Sequence, residues 1–204
     1  MKETLSPQPK LSEVGSPLPV PNSKSLLLEE TTYLKVLSAE EIRKYFGDFQ
    51  FTENPQQKGA ILIKAPWPQD NLTEVFIPSL KGLPKYGTSG FSGKVICHKK
   101  IALPLKNAFA EIEKKGLSRC VLFWGGSYVP RHITWDPAKS LSTHSWGIAF
   151  DINVQWNAYN VTPPAVGFEG CVREIVPILE KHGFAWGGHF SNPDGMHFEF
   201  AKPI

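Results

Sequence analysis

Two short stretches hold the residues of this chain best suited to chemistry. The first, Ser142 to Asn153, reads STHSWGIAFDIN and sets His144 seven residues before Asp151. The second, near the C-terminus, reads NPDGMHFEF and sets Asp194 three residues before His197, with Glu199 two residues beyond it. Two imidazoles and one carboxylate, from His144, His197 and Asp151, are donors that can hold zinc while leaving one position open for water. Asp194 would then stand close enough to act as a base on that water. Each residue also has an ordinary reading. A histidine on a strand is commonly a packed or solvent-facing side chain, and an aspartate in Asn-Pro-Asp-Gly is commonly a turn former.

For the donors to meet, strands must carry them. Ile148 to Val154 alternates Ile148, Phe150, Ile152 and Val154 with Ala149, Asp151 and Asn153. That is the period of a strand buried on one face, and it points Asp151 away from the apolar side. His144 lies where the chain enters this strand. The small side chains of Gly147 and Ala149 suggest a surface that something else approaches closely. The last strand is MHFEF, with His197 and Glu199 on one face and Met196, Phe198 and Phe200 on the other. If the two strands are neighbours in one antiparallel sheet, the three donors converge.

The remaining elements frame that sheet. Ser38 followed by Glu41 has capping-box spacing and predicts a short helix through Ile42, Tyr45 and Phe46 to Gly47. Ala60 to Lys64 and Glu74 to Ile77 read as short strands, followed by the long loop KGLPKYGTSGFSGK. Ile101, Leu105, Ala108, Phe109 and Ile112 recur at helical spacing before Gly116, with Pro104 fitting the first turn. CVLFW, Cys120 to Trp124, reads as a buried strand. In CVREIVPILEKHG, Val172, Ile175, Val176 and Leu179 share a helical face, and Pro177 either kinks that helix or marks its first turn. Strands and helices in no strict βαβ order predict an α+β fold.

Composition narrows the function classes. With 204 residues, 41% of them hydrophobic, the chain can build one well-cored domain. Residues 1–31, rich in Pro and Ser and without periodicity, are expected to be a disordered or extended tail, leaving 32–204 as the folded domain. A net charge of +3, with no run of Lys or Arg longer than two, argues against a nucleic-acid surface but suits an anionic polymer such as a cell wall. Cys97, Cys120 and Cys171 are widely spaced and odd in number, which indicates neither a disulfide framework nor a cysteine zinc site. No stretch approaches the ~20 apolar residues of a membrane helix, and MKETLSPQPK lacks the apolar core of a signal peptide. Synthesis in the cytoplasm without membrane insertion is the expectation, with a monomer as the default.

The pattern Ser142-x-His144-x-x-Gly147-x-Ala149-x-Asp151 resembles the SxHxxGxAxD motif of the zinc D-alanyl-D-alanine carboxypeptidase and L-alanyl-D-glutamate endopeptidase family, which includes VanY-like enzymes and phage endolysins. Gly183-Phe184-Ala185-Trp186-Gly187-Gly188, followed by Asp194 and the His197-Phe198-Glu199 triplet, resembles the ending of the endolysin-like branch. The likeness spans roughly Lys94 to Ala201. It implies a hedgehog or D-Ala-D-Ala peptidase-like fold, in which a small antiparallel sheet flanked by helices carries the site. It implies one zinc ion on His144, Asp151 and His197, and Asp194 as the catalytic carboxylate. Arg131, in GSYVPRHI, resembles the arginine that binds substrate and polarises the scissile carbonyl. Ser142 is implied as a residue that supports the site or binds substrate, Trp186 as a substrate-binding residue, and Glu199 as a partner that orients a ligand histidine. Where relatives often carry an acid after WGG, this chain has His189, which is not counted as a ligand.

The implied activity is hydrolysis of peptidoglycan stem peptides, foremost as an L-Ala-D-Glu endopeptidase acting as a cell-wall lysin of bacteriophage type. Release through a holin, or membership of a larger phage or wall-associated assembly, would bring it to its substrate. The alternatives are a D-Ala-D-Ala carboxypeptidase and a catalytically silent zinc-fold module that binds the wall.

Overall fold

Ser38 starts the first helix as its spacing predicts. Its hydroxyl accepts from the Glu41 backbone N–H at 3.2 Å, and the Glu41 carboxylate accepts from the Ser38 N–H at 2.7 Å. The helix, α1, spans Ala39–Phe46 and buries Ile42 and Phe46. This is a computed structural model, and it describes residues 33–87 and 90–201. The tail expected over residues 1–31 lies outside the described residues.

Two antiparallel hairpins follow α1. In one, β1 (Phe51–Glu53) pairs with β2 (Ile61–Ile63). In the other, after the short helix α2 (Trp67–Asn71), β3 (Leu72–Phe76) pairs with β4 (Lys94–His98). Helix α3, Ala102–Lys114, then buries Leu105, Ala108, Phe109 and Ile112, the residues whose spacing predicts it. After it come β5 (Trp124–Gly126), β6 (Ala149–Ile152), α4 (Val176–Lys181), β7 (Phe184–Trp186) and β8 (His197–Phe200). Those last four strands form one antiparallel sheet in the order β5-β6-β8-β7. The architecture is α+β, with small antiparallel sheets among helices.

The sheet has two chemically distinct faces. On one, Trp124, Phe150, Phe198 and Trp186 form an aromatic ladder that crosses all four strands, with successive centroids 5.8, 5.4 and 6.4 Å apart. Phe109 of α3 packs its ring 5.7 Å from that of Phe150. Burying large rings from every strand helps to fix the register, because a one-residue slip would turn each ring to the other face. The opposite face is left to Asp151, His197 and Glu199.

The structure differs from the sequence reading at several elements. Cys120 closes a 3₁₀ turn, Ser118–Cys120, and only Trp124 of CVLFW lies in a strand. The buried carboxamide of Asn153 explains this: its Oδ1 accepts from the N–H groups of Leu122 and Phe123 at 2.7 and 3.1 Å, and its Nδ2 donates to the Cys120 carbonyl at 2.7 Å. One side chain thus replaces a strand ladder. Pro177 sits in the first turn of α4, where its missing N–H has no helical partner to lose. Strands β1, β4 and β7 were not anticipated from periodicity.

Candidate metal centre

Asp151 and His197 are directly opposite each other on β6 and β8, and Ala149 is opposite Glu199. His144 comes from outside the sheet, on the 3₁₀ turn Thr143–Trp146. Ser142 caps that turn by accepting from the His144 N–H at 3.4 Å. Gly147 ends it at φ +65°, a left-handed conformation that glycine adopts without a steric penalty. The result is a triangle of donor atoms. His144 Nε2 lies 3.2 Å from Asp151 Oδ1 and 3.2 Å from His197 Nδ1, and the third edge, His197 Nδ1 to Asp151 Oδ1, is 3.1 Å.

The outer hydrogen bonds set what these atoms can do. His144 Nδ1 is 2.7 Å from the Ser127 carbonyl, which can only accept, so the proton sits on Nδ1 and the Nε2 lone pair faces the triangle. His197 Nε2 donates to Glu199 Oε2 at 3.0 Å, which frees Nδ1 in the same way, and Thr143 Oγ1 donates to the same carboxylate oxygen at 3.0 Å. With both imidazoles neutral, three acceptors face one another, an arrangement that suits a cation at its centre. Zinc–donor bonds of ~2.0–2.1 Å at tetrahedral angles put donors about 3.3–3.4 Å apart, close to the observed edges. The residues present fit a zinc ion.

Protons compete with a metal cation for these same donors. Burial alone would raise the Asp151 carboxyl, yet the two imidazoles hold it far below the usual carboxylate range. Burial alone would lower His197, but Asp151 and Glu199 outweigh it and favour a positive charge there.

Asp151 and His197 line a cleft of about 480 Å³ together with Arg131, Asp194, Ser142 and Glu199. Asp194 is half-buried, and its Oδ1 is buried with no hydrogen-bond partner among the described residues. Burial raises its carboxyl, partly offset by the neighbouring histidines and Arg131. Its backbone is fixed at both ends, with Asp194 N–H on the Gly187 carbonyl at 2.9 Å and the Asp194 carbonyl accepting from His197 N–H at 3.0 Å. The Arg131 guanidinium is close enough to feel the charges of Asp151 and Asp194, which offset part of the lowering by burial. Among the described lining residues, Arg131 is the only lysine or arginine.

Several supports were not singled out in the sequence. The Ser145 hydroxyl is fully buried and holds both backbone groups of Arg131, accepting from its N–H at 3.0 Å and donating to its carbonyl at 3.0 Å. Gly187 runs so close to the turn of Asp194 that an added Cβ would lie 2.5 Å from the Asp194 carbonyl oxygen. A Cβ on Gly125 would lie 2.8 Å from the Asp151 Cβ. The WGG motif hinted at Gly187; nothing local marked Ser145.

Some expectations require correction. Trp186 does not line the cleft. It is 2% exposed, its register partner is Phe198 on the core face, and its indole N–H donates to the Gly195 carbonyl at 2.8 Å. It braces the turn after Asp194 from beneath. Gly147 and Ala149 do not open space for a ligand: a Cβ on Gly147 would meet the His98 nitrogen at 3.1 Å, and Ala149 is buried. His189 is also outside the cleft lining; it stacks on Tyr33 at 3.5 Å and lies edge-on to Trp186.

One wall of the cleft is strained. Thr134 and Trp135 adopt φ +53° and +60°, the left-handed region that costs a non-glycine residue about 1–3 kcal/mol. The strain is held by neighbours. Gly59 leaves room for this turn, since a Cβ there would lie 2.2 Å from the Trp135 carbonyl oxygen. His132 pins the base of the turn by bonding the Lys139 carbonyl at 2.6 Å and Glu53 at 3.0 Å.

No helix among the described residues is long and apolar enough to cross a membrane. No curated protein and no solved structure matches the chain significantly. Residues 136–200, the segment that contains His144, Asp151, Asp194, His197 and Glu199, match the family described as D-alanyl-D-alanine carboxypeptidase, which suggests a zinc peptidase acting on peptidoglycan.

Proposed function

We propose that this protein is a zinc-dependent endopeptidase that cuts the L-Ala-D-Glu bond of peptidoglycan stem peptides, as a wall lysin does. The donor triangle beside Asp194, whose Oδ1 has no partner among the described residues, carries the peptidase assignment. His144, Asp151 and His197 hold the zinc, and Ser127 and Glu199 keep the two imidazoles in the tautomers that present lone pairs. Zinc in such a site supplies Lewis acidity, acidifying a water and polarising a carbonyl. Asp194 takes a proton from the attacking water and delivers it to the leaving amine, serving as base and then as acid. Arg131 donates to the carbonyl oxygen as negative charge builds there.

The choice of bond follows from charge. A carboxypeptidase must hold a free terminal carboxylate as well as stabilise an oxyanion, and the described cleft offers one guanidinium for both tasks. A cut inside the peptide needs no pocket for a chain-terminal carboxylate. The match over residues 136–200 favours the carboxypeptidase as the second reading. Mass spectrometry of defined muropeptides digested by the zinc-loaded protein separates them. A new N-terminal D-Glu is the expected product. Release of terminal D-Ala would transfer the assignment to the carboxypeptidase, and absence of any product with zinc bound would leave a wall-binding module.

A further inference from the structure

The strained wall of the cleft serves no step of the mechanism above. Thr134 and Trp135 occupy a conformation suited to glycine, and the segment is fixed from several sides by Gly59, His132 and the hydrogen bond from Lys139 Nζ to Thr134 Oγ1 at 2.9 Å. What that rigidity achieves is presentation. Trp135 is 39% exposed and Ile133 43% exposed, and both line the cleft. Large apolar side chains held rigidly in water at the rim of a cleft mark a surface awaiting a ligand.

The position of Trp135 narrows the ligand. The Arg131 guanidinium lies over its ring, 5.4 Å from the centroid, so the indole sits beside the group that meets the scissile carbonyl. Tyr159, 50% exposed, also lines the cleft, and its backbone pairs with that of Asp194. In a stem peptide the L-Ala nitrogen is acylated by the lactyl ether of a muramic acid ring. A cut between L-Ala and D-Glu therefore places a sugar within one residue of the reacting carbonyl, whereas a cut between terminal D-alanines leaves it several residues away. The C–H face of a pyranose is apolar and flat, and buries well against an indole.

We infer that Trp135 is the platform of a sugar subsite that stacks the N-acetylmuramyl ring of the glycan, making glycan-linked peptide the preferred substrate. This rests on the endopeptidase reading, and the test keeps the two apart. The peptide-free disaccharide of N-acetylglucosamine and N-acetylmuramic acid is titrated calorimetrically into the zinc-loaded protein. The same titration is run on Trp135→Gly, which suits the backbone at φ +60°, and on Trp135→Phe. Kinetics on a muropeptide and on the matching free stem peptide accompany it.

Binding of the disaccharide by wild type, weakened at least about tenfold in Trp135→Gly and largely retained in Trp135→Phe, is the expected result for one lost ring face. The preference for muropeptide over free peptide should fall by a similar factor in Trp135→Gly. No disaccharide binding by wild type, or equal binding by Trp135→Gly with its melting temperature and zinc content intact, would overturn the proposal. Trp135-dependent disaccharide binding by a protein that cleaves no muropeptide would support the sugar subsite and sink the peptidase reading instead.

Discussion

Asp151 and His197 face each other across two neighbouring strands with Oδ1 and Nδ1 3.1 Å apart, and His144 closes the triangle from a separate turn. Three acceptors at this spacing repel one another unless a cation or a proton joins them. Chelation of the metal should therefore lower the melting temperature by several degrees, with recovery on adding zinc back, because a ligand that binds only the folded state stabilises it by mass action. Alanine at His144, Asp151 or His197 should abolish stoichiometric zinc in elemental analysis. A chain that retains one zinc in all three variants would place the metal elsewhere.

Asp194 touches no partner among the described residues through its buried Oδ1, so its replacement should spare the fold and the metal. Asp194→Ala should keep one zinc per chain and lose about 10²–10⁴-fold in kcat, the range supplied by a positioned acid–base group. Turnover near wild type in metal-loaded Asp194→Ala would remove it from the mechanism.

Glu199 holds His197 Nε2 at 3.0 Å and receives the Thr143 hydroxyl at 3.0 Å. Glu199→Gln should weaken zinc binding by about 10–100-fold, as loss of a carboxylate behind a ligand histidine commonly does. Competition with a chromophoric chelator measures it directly, and unchanged affinity would show that His197 needs no carboxylate behind it.

Gly187→Ala forces a methyl group to within 2.5 Å of the Asp194 carbonyl oxygen and 3.2 Å of the His197 Cβ. Overpacking of this kind costs about 1–3 kcal/mol, and here the displaced groups include the proposed base and a proposed ligand. A lower melting temperature together with reduced activity is expected. Full activity at unchanged stability would mean that the turn yields without consequence.

His132 meets a carbonyl through Nδ1 and a carboxylate through Nε2, so both nitrogens donate and the ring is held as imidazolium. Burial opposes that charge, but Glu53, the Lys139 carbonyl and Asp136 raise its pKa above the ordinary value. A raised folded-state pKa contributes stability that is fully present below the unfolded value, about 6.5, and is lost as pH climbs through the folded one. Glu53→Gln should lower the melting temperature at pH 6 and do so progressively less toward pH 9. A deficit that grew with pH would contradict the assignment of charge.

Much of this was readable because the elements near the site obey simple periods. The alternation from Ile148 to Val154 put Asp151 opposite the apolar face, and MHFEF put His197 and Glu199 together; these patterns depend only on the two-residue repeat of a strand. The capping box of α1 was equally local. What escaped was long-range. CVLFW is apolar enough for a strand, and nothing nearby reveals that the carboxamide of Asn153, thirty residues on, takes over its backbone groups. Trp186 could not be told apart from a cleft residue until β7 was paired with β8. Ser145 carries no local sign that it holds Arg131, fourteen residues away.

That serine has a practical consequence. Its hydroxyl joins the backbone of Arg131 to the turn of His144, so the proposed oxyanion donor and the proposed metal ligand travel as one piece. A chimera that transplanted Ser142–Asp151 into another scaffold would carry His144 and Asp151 but leave both His197 and Arg131 behind. The smallest portable unit of this centre therefore begins well before its motif, at the segment that leads into Arg131.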